Sequence, residues 1–246
     1  MPRLSFLTSS LVVSFQRSSV LSYRILDSNS LLVKLREAWK ADSKMLIIAS
    51  SPESHRSNIE MKSILRTAFK QSGLTVSSVQ MCDHWNPEIV DNVKDMDAVV
   101  LVGGHVPTQN TFMESIHLRE KLKEFKGILL GWSAGSMNCA DVVYAIPELD
   151  GEAVDPKYKR YIPGLGVTQV NILPHFQIER HERVDGQRVL EDLAFPDSFK
   201  HEVIAINDGS WILIDGETET LYGEGYRIKD GKMEQICSDN ESVKLK

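Results

Sequence analysis

The sequence predicts an α/β fold, a mostly parallel sheet with helices on both faces and antiparallel hairpins at the C-terminal end. Three observations carry this expectation. Near-continuous apolar runs alternate with amphipathic stretches between residues 44 and 131, as in strands covered on both sides. After about residue 200 the pattern changes to short strand-like runs separated by Asp-Gly pairs, which mark tight turns. The chain has 246 residues, 42% of them hydrophobic and 25% charged, enough for one α/β domain with a substantial core.

Each element follows from its own pattern. LSFLTSSLVVSF (4–15) follows Arg3 and faintly resembles a secretory leader, but serines and a threonine interrupt it and no small-residue cleavage site follows. It is expected to be a first strand and the loop after it. Residues 30–40 place Leu31, Leu35, Ala38 and Trp39 at helical spacing, and 44–50 read as a buried strand. An amphipathic helix is expected over 58–73, ending at Gly73, then an alternating strand over 74–81. A helix over 87–96 has Pro87 in its first turn. A strand over 98–104, a helix over 115–125 and a strand over 127–131 complete this half. The runs 203–207, 211–215, 219–223 and 226–236 are expected to form an antiparallel meander through Asp-Gly turns at 208–209, 215–216 and 230–231. No linker or repeat divides the chain. A single domain over 1–246 is expected, with its core in 44–225 and an N-terminal strand–helix extension in 1–43.

Composition narrows the function. A net charge of −6 leaves no electrostatic footprint for nucleic acid or an anionic membrane surface. No apolar stretch reaches 18 residues, so no membrane span is expected. Three widely spaced cysteines make neither a disulfide framework nor a zinc pattern, and a cytoplasmic location is the simplest reading.

Chemistry concentrates at KGILLGWSAGSMN (126–138). An apolar strand runs into Ser133, with Gly131 and Gly135 two positions to either side, and a helix-compatible stretch follows. This is the layout of a nucleophile elbow, a turn so sharp that the central residue sits strained at its apex. It presents the Ser133 hydroxyl and aims the Ala134 N–H at the same point. Val102-Gly103-Gly104-His105 ends the preceding strand, and ligands of parallel sheets sit at such carboxyl ends. The Gly104 N–H, or that of its neighbour Gly103, joins Ala134 as the expected oxyanion hole.

A serine hydroxyl needs a base. Of seven histidines, His175 ends the apolar run VTQVNILPHF one residue after a proline, which presents it rigidly at a strand tip. His105 lies beside the oxyanion loop, where substrate passes. For the acid that orients the base, Asp208 follows the strand VIAIN; Glu148 and Asp150 compete, and Asp141 less strongly. The order Ser, His, acid departs from that of the α/β-hydrolases, in which the acid precedes the histidine.

GWSAGSMN, the strand ending in VGG, ILPHF around His175 and INDGSW around Asp208 together resemble the peptidase E (aspartyl dipeptidase) and cyanophycinase family of serine peptidases. The likeness covers roughly residues 44 to 225. It implies a flavodoxin-like fold related to the class I glutamine amidotransferases, with Ser133 as nucleophile, His175 as base, and Gly104 and Ala134 as oxyanion donors. Asp208 takes the place of the family's usual glutamate, and an acid after the nucleophile is also considered in related enzymes, which keeps Glu148 in play.

The departures concern specificity. The usual GGNT is here GGHVPTQN, so His105 or Gln109 is expected to line the pocket. Aspartyl dipeptidases carry an arginine in the helix after the catalytic histidine. The corresponding ERHERVDGQRVLEDL (179–193) offers Arg180, Arg183 and Arg188, but Asp185 falls near that arginine's place. An aspartate there favours a basic side chain or a free α-ammonium over an acidic one. The expected activity is hydrolysis of short peptides through an acyl-enzyme, with no metal or organic cofactor. An esterase or amidase of another class, and a catalytically silent or amidotransferase-like peptide-binding protein, stay open, as does a homodimer.

Overall fold

The computed structural model describes residues 1–17 and 20–246. It opens with β1 (Leu4–Thr8) and an antiparallel pair, β2 (Val12–Arg17) and β3 (Val20–Ile25). Next come α1 (Leu31–Ala38), β4 (Ser43–Ile48), α2 (His55–Gln71), β5 (Val76–Cys82), a 3₁₀ segment (Pro87–Asp95) and β6 (Ala98–Leu101). Helices α3 (Val106–Ser115) and α4 (Leu118–Lys121) lead to β7 (Ile128–Trp132) and the single turn α5 (Ala134–Met137). Short elements follow: β8 (Val142–Tyr144), β9 (Tyr161–Pro163), β10 (Asn171–Leu173), α6 (Phe176–Glu179), β11 (Arg183–Val184) and β12 (Gln187–Arg188). A π-helical turn (Val189–Ala194) and α7 (Phe195–Asp197) precede the last six strands. These are β13 (Val203–Ile206), β14 (Trp211–Asp215), β15 (Thr218–Tyr222), β16 (Gly225–Lys229), β17 (Lys232–Cys237) and β18 (Ser242–Lys244).

The main sheet has eight strands in the order β18-β15-β14-β1-β7-β6-β4-β5. Its five strands from β1 to β5 in that order are mutually parallel, and β14, β15 and β18 extend the β1 edge, each antiparallel to the strand it pairs with. Side chains alternate across the sheet, so each central strand feeds two cores. Met45, Ile47, Val100 and Leu130 pack with Leu35, Leu65 and Phe69 of α1 and α2 on one face. Leu46, Ile48, Leu101 and Leu129 pack with Val93, Phe112 and Leu118 on the other. This is the α/β architecture the apolar runs predict. A second sheet, β10-β13-β16-β17, stands beside the first.

Several elements differ from expectation, each for a physical reason. The loop expected after the first strand is in part β2, which pairs with β3; Leu11 and Ile25 bury beside Leu65 and Phe69. β1 itself, in the segment expected as an extension, lies in the middle of the main sheet, with Phe6 and Leu7 buried. The helix expected over 87–96 is 3₁₀ because its buried residues, Val90 and Val93, are three apart and eclipse in that geometry. The helix expected over 115–125 is broken at His117, whose φ is +53°, and α3 precedes it. The Asp-Gly pairs at 215–216 and 230–231 do turn hairpins. Asp208-Gly209 does not: β13 belongs to the second sheet and β14 to the first, so this pair carries the chain between sheets. The expected helix over 179–193 is interrupted by the β11–β12 ribbon, turned at Asp185-Gly186 with φ of +51° and +80°, and becomes helical again only at Val189, as a π turn.

Candidate active site

β6, β7, β10 and β13 end on one side of the molecule, and the candidate residues gather there. Ser133 occupies the turn from β7 to α5 with φ +51° and ψ −114°, a conformation a non-glycine residue holds only where its surroundings impose it. The flanking glycines make the turn possible. A Cβ on Gly131 would lie 2.8 Å from Ser136 Cα, and one on Gly135 would lie 2.2 Å from the Leu101 carbonyl oxygen. Thr8, at the end of β1, clamps the elbow. Its carbonyl accepts the Ser133 N–H at 3.0 Å and the Ser136 hydroxyl at 2.8 Å, and its own hydroxyl donates to the Gly131 carbonyl at 2.8 Å.

His175 follows β10 with φ +54°, and its Nε2 lies 3.0 Å from Ser133 Oγ. On the other side of the ring, Nδ1 lies 2.7 Å from Asp208 Oδ1. The Asp208 carboxylate is well provided with donors. Ser9 and Ser10 hydroxyls donate to Oδ1 at 2.7 Å each, and the Gln177 amide donates to Oδ2 at 2.7 Å. Partial burial alone would raise its pKa, but the hydrogen bonds from His175, Ser10 and Ser9 win and hold it far below the ordinary carboxylate range. Ser9 also accepts the His175 backbone N–H at 2.8 Å.

The Gly103–Gly104 peptide faces this group. Ser50 Oγ, just beyond β4, donates to the Gly103 carbonyl at 2.6 Å. In a trans peptide the C=O and N–H point opposite ways, so this bond turns the Gly104 N–H away from Ser50. Only glycine fits there: a Cβ on Gly104 would lie 2.5 Å from Ser50 Oγ. A cavity of about 400 Å³ opens in front of Ser133, with Gly104 and His175 in its wall. Met137, Ile146, Leu173 and Ile178 give it apolar surface; Glu148, Glu179, Glu182 and Arg183 give it charge.

The sequence matches the model of peptidase family S51 over residues 27–222. The chain belongs to this family. It is therefore a serine-type peptidase, a hydrolase. Two solved structures share the fold. One is a peptidase from an acI-B1 Actinobacterium, 18% identical with a TM-score of 0.66, covering 98% of this chain and 96% of that one. The other is a putative peptidase E protein from Listeria monocytogenes EGD-e, 14% identical with a TM-score of 0.57, covering 95% and 98%. No curated protein matches the sequence. No helix among the described residues is long and apolar enough to cross a membrane.

Within this S51 peptidase, the residues expected to line the pocket divide. Arg183 does line it, with one guanidinium N–H donated to the Gly186 carbonyl at 2.9 Å. Gln109 is fully buried beneath the Gly103–Gly104 loop, donating to the Val102 carbonyl at 2.7 Å and accepting from Asn138. Asp185 accepts the backbone N–H groups of Gly151 and Ala153 at 2.8 and 2.9 Å, which ties the ribbon to the loop after β8. His105 is held between Thr108 Oγ1 at 2.7 Å and Glu152 Oε1 at 2.8 Å. Glu152 in turn caps the Glu148 and Leu149 N–H groups. Of the competing acids, Asp141 pairs with Arg119, and Glu148 faces the pocket while Asp208 holds the imidazole.

Sequence reasoning passed over Thr8, Ser9, Ser10, Ser50 and Gln177. Gln177 carried a faint signal, standing two residues after His175. The serines carried none, because only the sheet order brings residue 9 beside residues 133, 175 and 208.

Proposed function

We propose that the peptidase cleaves short peptides, dipeptides among them, through a Ser133–His175–Asp208 triad. The observation that carries this reading is the continuous chain from Ser133 Oγ through both ring nitrogens of His175 to Asp208, with contacts of 3.0 and 2.7 Å. Asp208 accepts the Nδ1–H, which leaves the Nε2 lone pair free for the Ser133 proton. Ser133 Oγ then attacks the scissile carbonyl as its proton passes to His175. The oxyanion that forms lies against the Gly104 and Ala134 N–H groups. His175 returns the proton to the leaving amine, the C–N bond breaks, and an acyl-Ser133 ester is left. Water attacks this ester with His175 again as base, releasing the acid and restoring the serine. The Ser50 bond to Gly103 supports the oxyanion role, since a reversed peptide would offer its carbonyl instead of its N–H.

Ser133→Ala is expected to abolish dipeptide hydrolysis and covalent labelling by a fluorophosphonate, with thermal melting unchanged. Undiminished turnover in that variant would sink the proposal.

A further inference from the structure

The triad places the chemistry; the rest of the cleft bears on which acyl group enters. Around Ser133 the cavity wall carries three carboxyls, Glu148, Glu179 and Glu182, against one guanidinium, Arg183, among the described residues. They come from three places in the chain: the segment after β8, the end of α6, and the approach to β11. Glu148 and Glu179 interact electrostatically, as do Glu179 and Glu182. Like charges gathered in a cleft repel one another and lack the compensation a structural ion pair would give. Protein around the cleft, then Glu179 and Glu152, push the Glu148 carboxyl up to about 8, although solvent in the open cleft reaches the residue. Glu179 is shifted upward as well, by burial first; the nearby His175 imidazole opposes this and Glu182 adds to it. The contrast with Asp208, whose carboxylate is met by donors, is complete.

We infer that this wall recognises a cation on the acyl part of the substrate, an ammonium or guanidinium group, so that the peptidase prefers peptides whose acyl residue is positively charged. The inference rests on the triad reading for where the acyl group lies, and the carboxyls decide its class. The apolar surface of Met137, Ile146, Leu173 and Ile178 suits the methylene stem of a lysine or arginine, with the charged head at the carboxyls. A free α-ammonium next to the scissile bond presents the same chemistry from a second source. An acidic acyl residue meets only repulsion from these groups, and Arg183 alone opposes it.

The test separates the two sources, and separates this inference from the triad. Binding of Ac-Lys-Ala, Ac-Leu-Ala, Ac-Asp-Ala and H-Leu-Ala to the Ser133→Ala protein is measured by calorimetry, which needs no turnover. Ac-Lys-Ala is expected to bind at least about tenfold more tightly than Ac-Leu-Ala, a difference of about 1.4 kcal/mol, and Ac-Asp-Ala most weakly. A similar advantage of H-Leu-Ala over Ac-Leu-Ala would assign the cation to the α-ammonium instead. Glu148→Gln and Glu179→Gln, near-isosteric changes checked by thermal melting, are expected to reduce the preference to less than about threefold. Equal binding across the panel, or a preference that survives both substitutions, overturns the inference. Fluorophosphonate labelling of the unsubstituted protein reads the triad independently: absent labelling with cation-selective binding intact would refute the mechanism and leave the binding wall standing.

Discussion

Two groups of carboxyls face the same cleft and sit in opposite environments. Asp208 is met by two serine hydroxyls, an amide and an imidazole, and stays ionised far below neutral pH. Glu148 and Glu179 receive no side-chain hydrogen bond from the described residues, and burial first, then a neighbouring carboxylate, shifts both upward. Pairs of carboxyls whose surroundings drive their protonation apart take different roles. In the proposed mechanism the permanently charged group steadies the base, while a group that holds its proton up to about pH 8 is suited to selecting a cationic substrate.

The sharpest way to break this contrast is to remove the charge at Asp208. Asp208→Asn is expected to lower kcat by on the order of 10³- to 10⁴-fold through the wrong histidine tautomer, with KM little changed. Glu148→Gln is expected to act mainly on KM, and only for cationic peptides. If both variants lost kcat alike on neutral peptides, Glu148 would share the orienting role and the division would fail.

Ser50→Ala is the next largest, because it frees the Gly103–Gly104 peptide to turn. A lost oxyanion donor costs on the order of 100-fold or more in kcat, and Ser50 is expected to account for a part of that, about tenfold or more. Rescue by Ser50→Thr, which keeps the hydroxyl, would mark it as a positioning residue; an effect on KM alone would not.

The pH dependence distinguishes the two environments directly. Glu148 faces Glu179, Glu152 and Tyr158, with Glu182, Arg183 and His175 round the same cleft. A cation binds its ionised form, so the ratio of kcat/KM for a lysyl over a leucyl peptide should rise with pH and level off above about 8. Below that value the ratio is expected to change by up to about tenfold per pH unit. Any contribution of the triad itself is common to both peptides and cancels in the ratio. Glu148→Gln should flatten the curve, and a ratio independent of pH in the unsubstituted protein would remove Glu148 from recognition.

The smallest effect is expected at Ser9. Ser9→Ala takes one donor from Asp208 and the acceptor from the His175 N–H, at a cost of about 1 to 3 kcal/mol in stability. Chemical denaturation checks it. No loss of stability would mean that Ser10 and Gln177 suffice to hold the carboxylate.

Much of this molecule was legible in its sequence, for reasons that differ from part to part. The parallel strands declared themselves because both of their faces are buried, which leaves unbroken apolar runs such as Met45–Ile48. The elbow was legible because its backbone admits only glycine at 131 and 135, where any Cβ would strike Ser136 or Leu101. His175 showed as the end of an apolar run after a proline. Asp208 was harder, because its Asp-Gly pair has the form of a hairpin turn and instead bridges two sheets. Turn chemistry states that the chain reverses; it does not state which strand lies alongside. Asp185 illustrates the same limit. Its position suggested a substrate contact, and its carboxylate holds Gly151 and Ala153.

Local sequence thus determined the parts whose physics is local: buried strands, the strained serine turn, the glycine-only approaches. Tertiary structure decided what lies opposite them. It inserted β1 between β7 and β14, so that Thr8, Ser9 and Ser10 brace Ser133, His175 and Asp208 from across the sheet. It also gathered Glu148, Glu179 and Glu182 on one wall. Hydrogen bonds and charge repulsion depend on distance in space, and sheet order sets that distance for residues more than a hundred positions apart.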